Sequence, residues 1–249
     1  RDRLYTDTRF SDIWAAVRRA PEGVAERVAA LPGVGEVETR LIAGAKMERA
    51  GFTDPISATV QSLPDDGPPR QNALVLRSGR LPTPWAHDEI LTSEAFAQAH
   101  RLAPGARLRV TLQGRTQWFT VVGLAVSPEY VYQIKPGAMF PDYERYAIVW
   151  MPRRAMAAAL DLDGAFNQLV VRLAPGASEA AVITDLDTLL ARHGGRGAHG
   201  RMNQLSYRFL YEEFRQLATM TRLFPTIFLG VAAFLLNVVF TRLIGTQRD

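Results

Sequence analysis

The period of the apolar positions changes along the first third of the chain. Phe10, Ile13, Trp14 and Val17 recur at i, i+3, i+4 and i+7, so DTRFSDIWAAVRRAP predicts a helix with one apolar face. Pro21 ends it or opens a second helix, PEGVAERVAALPG, in which Val24, Val28 and Leu31 align and Gly33 is the C-terminal cap. The period then drops to two. Val37, Thr39, Leu41 and Ala43 alternate with polar or small neighbours, and Ile56, Ala58 and Val60 do so again, which predicts a hairpin. LPDDGPPRQN, at 63–72, is dense in Pro, Gly and Asp and predicts an exposed loop at a subdomain boundary.

Leu74–Leu76 follows as a short strand, GRLPTPWAHDE as a loop, and SEAFAQAHRL as a short helix capped by Ser93 and stopped by Pro104-Gly105. RLRVTL and TQWFTVVGLAV flank Gln113-Gly114-Arg115 and make the clearest hairpin of the chain. SPEYVYQIKPGAMFPDYERY, at 127–146, has three prolines, four tyrosines and a phenylalanine with little period. A stretch of that length is a functional or packing loop, its aromatic rings either exposed to dock a partner or folded down as a lid. AIVWMP and NQLVVRL read as strands, RRAMAAAL as a helix opened by Pro152. Ser178 caps a further helix with Val182, Leu186, Leu189 and Leu190 on one face, closed by Gly194 and Gly195. The whole reads as α+β: two α/β halves around a β-rich insertion at roughly 70–145.

The end of the chain is different. In QLSYRFLYEEFRQLATMTRLF, Leu210, Phe214 and Leu217 share a helical face with no stop before Pro225. Leu223 to Phe240 then gives 18 uncharged positions, extended by Thr241, Leu243 and Ile244 around an Arg242 that can snorkel. A hydrocarbon core about 30 Å thick needs about 20 such residues, so the stretch predicts a transmembrane helix; a buried core helix is the alternative. Asn237 inside it needs a partner, which points to a bundle. Arg242 and Arg248 follow the span and Arg222 alone closely precedes it, which favours a cytoplasmic C-terminus and an extracytoplasmic main domain.

Composition narrows the function. With 47% hydrophobic and 22% charged residues, the 249-residue chain can form one large or two small globular domains. It begins with Arg1 and reads as a fragment or processed product. The net charge of +4 comes from arginine, Lys46 and Lys135 being the only lysines. Basic runs interleaved with aromatic residues are missing, so nucleic acid is not an expected partner. The absence of cysteine excludes disulfides, thiol catalysis and cysteine-based zinc sites, and leaves the compartment open.

No motif assigns chemistry. Gly195 to Gly200 fits G-x-G-x-x-G, but a helix precedes it where a dinucleotide site needs a strand, so a flexible loop is expected there. His193 and His199 lie in that loop without a carboxylate between them; His87 and His100 are single. Asp161-Leu-Asp163-Gly164 starts like a calcium loop but meets Arg172 where the bidentate Glu belongs. Asp185 and Asp187 are about 200° apart on a helix, and Glu212 and Glu213 read as a solvated face. Catalytic, cofactor-binding and metal-binding residues are therefore assigned as none, and the expected class is non-enzymatic.

The order of parts resembles the extracytoplasmic domain of FtsX-like, MacB-type ABC-transporter permeases. It runs PGVGEVETRL, DEILTSEAFAQAHRLAPGARLRV, FTVVGLAVSPEY, AIVWMP, SEAAVITDLDTLL and LGVAAFLLNVVFTRLIGTQRD. The resemblance implies a porter-like α/β subdomain built from both ends of the chain. Its first half would lie at 1–66 with a stalk helix over Leu4–Ala20, and its second half at 147–204. A β-rich subdomain would be inserted at 67–146, and a stalk and second transmembrane helix would occupy 205–249. It further implies a bacterial inner-membrane protein with its main domain in the periplasm, driven by a cytoplasmic ABC ATPase. Membrane lipid, a periplasmic adaptor or lipoprotein, and a second copy in a dimer are the other implied partners. The role implied is transmission of ATPase-driven motion for export or extraction of a lipoprotein, lipid or peptide. The ectodomain of a membrane-anchored sensor is the alternative.

Overall fold

Strands from both ends of the first 200 residues meet in one sheet, and everything between them forms a second. The computed structural model describes residues 8–49, 53–204 and 228–236. It divides into units spanning Arg1–Tyr207 and Arg208–Asp249.

The smaller sheet of the first unit joins β1 (Ile13–Pro21), β2 (Val34–Arg40), β10 (Ala165–Leu173) and β11 (Ala198–Gly200) in the order β11-β1-β10-β2, every pair antiparallel. Helices α1 (Gly23–Ala29) and α4 (Glu179–Leu190) cover one face. Val24, Val28, Val182, Leu186 and Leu190 from the helices pack with Ile13, Ala15, Val17, Leu169 and Val171 from the strands. Burying such side chains contributes about 1.5–3 kcal/mol each.

The helix expected over DTRFSDIWAAVRRAP is instead β1, so the stalk helix expected at Leu4–Ala20 is not one over 13–20. Ile13, Ala15 and Val17 point to the helices, while Trp14, on the opposite face, is also buried. A strand covered on both sides loses its alternation and imitates a helical stripe.

The larger sheet takes β3 (Ile42–Glu48), β4 (Ile56–Leu63), β5 (Val75–Gly79), β6 (Glu89–Ser93), β7 (Arg107–Leu112), β8 (Arg115–Val126) and β9 (Tyr146–Pro152). Its order is β5-β8-β6-β9-β4-β3-β7, and β8 also pairs with β7. The first half of the long β8 serves β7 and the second half serves β6 and β5. Six strands thereby close into a barrel with β5 appended. Met47, Val60, Val110, Phe119, Val121 and Val149 fill it, joined by Phe96 of α2 (Glu94–His100) and Met156 of α3 (Arg153–Leu160). Gln113 and Gly114 both have positive φ, 49° and 76°, the two-residue turn that matches the twist of the β7–β8 hairpin. Gly79, at φ +78°, lies so close to β8 that an added Cβ would sit 2.2 Å from the Val122 carbonyl oxygen.

The strands divide between the two sheets at Leu41 and between Leu160 and Ala165. The boundaries expected at 66/67 and 146/147 run through the barrel, because β3, β4 and β9 are among its staves. Residues 195–200, expected as a flexible loop, are tied down: Arg196 N donates to Ala16 O at 2.9 Å, and β11 pairs with β1.

In the second unit, 228–236 is helical, with Phe228, Leu229, Phe234 and Leu236 exposed. Among the described residues no helix is long and apolar enough to cross a membrane. The rod expected at 205–224 lies outside the described residues, as does most of the span expected at Leu223–Ile244.

Candidate functional site: a buried ionic junction between sheet and barrel

One residue, Leu41, separates β2 in the small sheet from β3 in the barrel. It is fully buried, its N–H donates to Ser62 Oγ and its carbonyl accepts from Ser62 N, both at 2.9 Å. The side-chain amide of Asn167 reaches across from β10. Its Oδ1 accepts from Ile42 N and its Nδ2 donates to Ile42 O, each at 2.8 Å, as a neighbouring strand would.

The face of the small sheet away from its helices is polar where it meets the barrel. Register places His199, Trp14, Val170 and Glu38 in one row across four strands, with Ala16, Gln168 and Arg40 in the next. Arg40 is 3% exposed. Its Nη1 and Nη2 donate to Glu129 Oε2 and Oε1, each at 2.6 Å, and its Nε donates to Gln168 Oε1 at 2.7 Å. Glu129, 2% exposed, comes from the 3₁₀ turn Pro128–Tyr130 that leaves the barrel after β8. Trp14 Nε1 also donates to Glu129 Oε1, at 2.6 Å, and Gln204 Nε2 donates to the Glu129 carbonyl at 2.7 Å. The Glu129 carboxylate therefore ties β1 to β2, and its backbone carbonyl holds the residues just past β11. The forked geometry is the strong form of an ion pair.

Burial opposes the charge on Arg40, and the Glu129 carboxylate more than offsets it, so the guanidinium pKa is raised. Burial, with Glu129 adjacent, pushes the Tyr130 phenol up. Removing one member of such a pair costs about 3–5 kcal/mol because the other is left buried and uncompensated.

Two further groups flank this pair. Arg153 at the start of α3 pairs with Glu22 beside α1 and donates to Thr39 O at 2.8 Å; Thr39 Oγ1 donates to Glu22 Oε2 at 2.8 Å. The end of the 63–72 loop is pinned to the sheet, not free as its composition suggests. Ser11 N donates to Asn72 Oδ1 and Ser11 Oγ to Gln71 Oε1, both at 2.8 Å, and Glu38 Oε2 accepts from Arg70 N and Gln71 N at 2.7 and 3.0 Å. Burial raises the Glu38 pKa, opposed by those two N–H groups. A crease of about 320 Å³ opens beside these groups, lined by Glu22, Glu38, Asp65, Asp66, Arg70 and Arg153 among others.

The residues weighed for chemistry do not converge. His199 stacks on Trp14 at 6.2 Å, and burial lowers its pKa. Asp187 Oδ1 accepts from Ala198 N at 2.7 Å, Asp161 ends α3 at φ 55°, and His100 Nε2 bonds the Glu144 carbonyl at 2.8 Å. Among the described residues no three His, Cys, Asp or Glu gather to hold a metal ion. Both Glu129 oxygens are engaged, so the junction is built to hold two bodies in register.

A family model described as the MacB-like periplasmic core domain matches residues 3–189, from before β1 almost to the end of α4. The chain belongs to this family. It is the periplasmic domain of a MacB-like ABC-transporter permease, so the resemblance read from the sequence holds. Solved structures similar to this MacB-like domain include the extracellular domain of the noncanonical ABC-type transporter YknZ from Gram-positive bacteria, 11% identical, covering 76% of this chain and 98% of that one at TM-score 0.46. The periplasmic region of MacB from Actinobacillus actinomycetemcomitans is 9% identical, covering 85% and 95% at TM-score 0.46. A domain of a permease-like protein from Porphyromonas gingivalis is 20% identical, covering 75% and 84% at TM-score 0.43. No curated protein sequence matches the chain.

The sequence reading found the MacB-like order of parts but missed the junction. Glu36, Glu38 and Arg40 alternate with Val37, Thr39 and Leu41 and look like a solvated strand face. Glu129 sits in the aperiodic 127–146 stretch, where only its place between Pro128 and Tyr130 hints at burial.

Proposed function

We infer that this domain carries motion, and performs no chemistry, in an inner-membrane transporter whose cytoplasmic ATPase drives export or extraction of a lipoprotein, lipid or peptide. The observation that carries the reading is the Arg40–Glu129 fork at a crossing one residue long. A displacement applied to the small sheet reaches the barrel through a short covalent link and a buried ion pair, with little slack to absorb it. A rigid connection of this kind suits transmission, whereas a hinge would use a longer linker with few contacts. Pairing with a periplasmic adaptor and assembly as a dimer belong to the same proposal.

The test uses the full permease with its ATPase in proteoliposomes. A flexible glycine linker inserted at Pro225 is expected to leave ATP hydrolysis intact and abolish transport. Transport at the unmodified rate would refute the reading.

A further inference from the structure

The outer wall of the barrel is covered on one side and open on the other. Over β9 the segment after β8 lies flat: Tyr130 meets Trp150 edge-on at 6.3 Å, and Ile134 is buried. Over β3, β4 and the β7–β8 turn the wall is open, and a groove of about 490 Å³ lies there, within the size range of ligand pockets. Ser57, Thr59, Thr111 and Gln113 supply hydroxyl and amide groups along it. Gly44 leaves it open, since a Cβ there would meet nothing within 4 Å.

The charge of the groove is one-sided. Lys46 from β3 and Lys135 from the covering segment both line it, and among the described residues no carboxylate does. They are the only two lysines of the chain. Arg9, Arg70, Arg80, Arg109 and Arg153 on the same unit have carboxylate partners, but neither lysine forms a salt bridge among the described residues. Ala138 N donates to Lys135 O at 2.8 Å, closing a turn, and Met139 and Phe140 follow it, 80% and 71% exposed.

We propose that this groove docks an acidic peptide segment of a partner protein. Carboxylates of the segment meet Lys46 and Lys135, its backbone meets the hydroxyl and amide groups among the small residues of the floor, and an apolar side chain reaches Met139 and Phe140. Two ammonium groups facing one open space without a counter-charge favour an anion. The open trough and hydrogen-bonding floor suit an extended peptide; an alkyl chain needs an enclosed apolar slot. Large apolar side chains exposed side by side, as Met139 and Phe140 are just past the Lys135 turn, mark a protein contact surface. The proposal stands apart from the transport reading, because it needs only the barrel wall.

The test is fluorescence anisotropy with the full chain and a fluorescein-labelled six-residue peptide of alternating glutamate and leucine. The wild type is expected to bind it, and to bind the glutamine version at least tenfold more weakly. The double variant Lys46→Glu/Lys135→Glu is expected to lose at least tenfold in affinity. Gly44→Leu, which fills the groove without changing charge, should do the same, and Arg196→Glu on the small sheet should change nothing. Raising salt from about 0.1 to about 1 M, which shortens the screening length to about 3 Å, should weaken binding severalfold. Equal affinity for the glutamine peptide, full affinity in the double variant, or no binding by the wild type overturns the proposal. So does exclusive binding of dodecyl phosphate, which would assign the groove to a lipid.

Discussion

The barrel and the small sheet are each held together by apolar side chains, but they are held to one another by charges and amides. Inside the barrel, Met47, Phe119, Val121 and Met156 exclude water without specifying angles closely. At the junction, Arg40, Glu129, Trp14 and Gln168 engage one another at 2.6 to 2.7 Å, and Asn167 holds the backbone of Ile42 at 2.8 Å. The hydrophobic effect is non-directional, whereas a forked guanidinium–carboxylate pair fixes both distance and plane. A polar junction therefore adds little net stability for its size and much definition of geometry. That distinction suits two bodies held in one orientation.

The comparison can be broken most severely at its polar side. Arg40→Ala should lose about 3–5 kcal/mol in urea unfolding, because Glu129 stays buried without its partner. Replacing both, as Arg40→Met with Glu129→Leu, should recover part of that loss, the remainder coming from Trp14 Nε1 and Gln168 Oε1 left without partners. An additive double variant would contradict the pairing. In the barrel, Phe119→Ala should cost about 3–5 kcal/mol through the cavity it leaves, and no second deletion should rescue it. Asn167→Ala should cost about 1–3 kcal/mol by orphaning the backbone groups of Ile42, with faster hydrogen exchange at the Ile42 amide as the local sign.

The smallest effect is in pH dependence, and it takes opposite signs in the two regions. Burial raises the Glu38 pKa at the junction, so its protonated form is favoured in the fold. Its contribution is present below the unfolded value and lost as pH rises through the folded one. On the barrel, the hydrogen bond from Arg80 lowers Glu89 to about 2, so its contribution is present above the unfolded value and lost as pH falls toward 2. Glu38→Gln should gain on the wild type as pH rises above the carboxylate range. Glu89→Gln should lose to the wild type there and converge with it near pH 2. Unfolding midpoints measured across pH check both.

Much of the fold was legible because its signals are local. Ser178 does cap α4, accepting from Ala181 N, and the β7–β8 hairpin is where its alternation predicts. The β1 strand was not legible, since burial on both faces gave Ile13, Trp14 and Val17 the spacing of a helix. The 127–146 stretch proved to be both things its composition allows: Tyr130 folds down while Phe140 stays out. The junction was invisible because its partners, Arg40 and Glu129, are 89 residues apart and each looks solvated in its own neighbourhood.

The chain has no cysteine, so a pair of introduced thiols can be spin-labelled without further change. Arg27→Cys on α1 and Arg115→Cys on β8 place one label on each body at exposed positions. Their distance distribution by double electron–electron resonance is the most direct test that the buried fork holds sheet and barrel in register. A single narrow peak in the otherwise unmodified chain, broadened or split when Glu129→Ala is added, is the predicted result. A distribution of unchanged width in a folded Glu129→Ala protein would contradict the account.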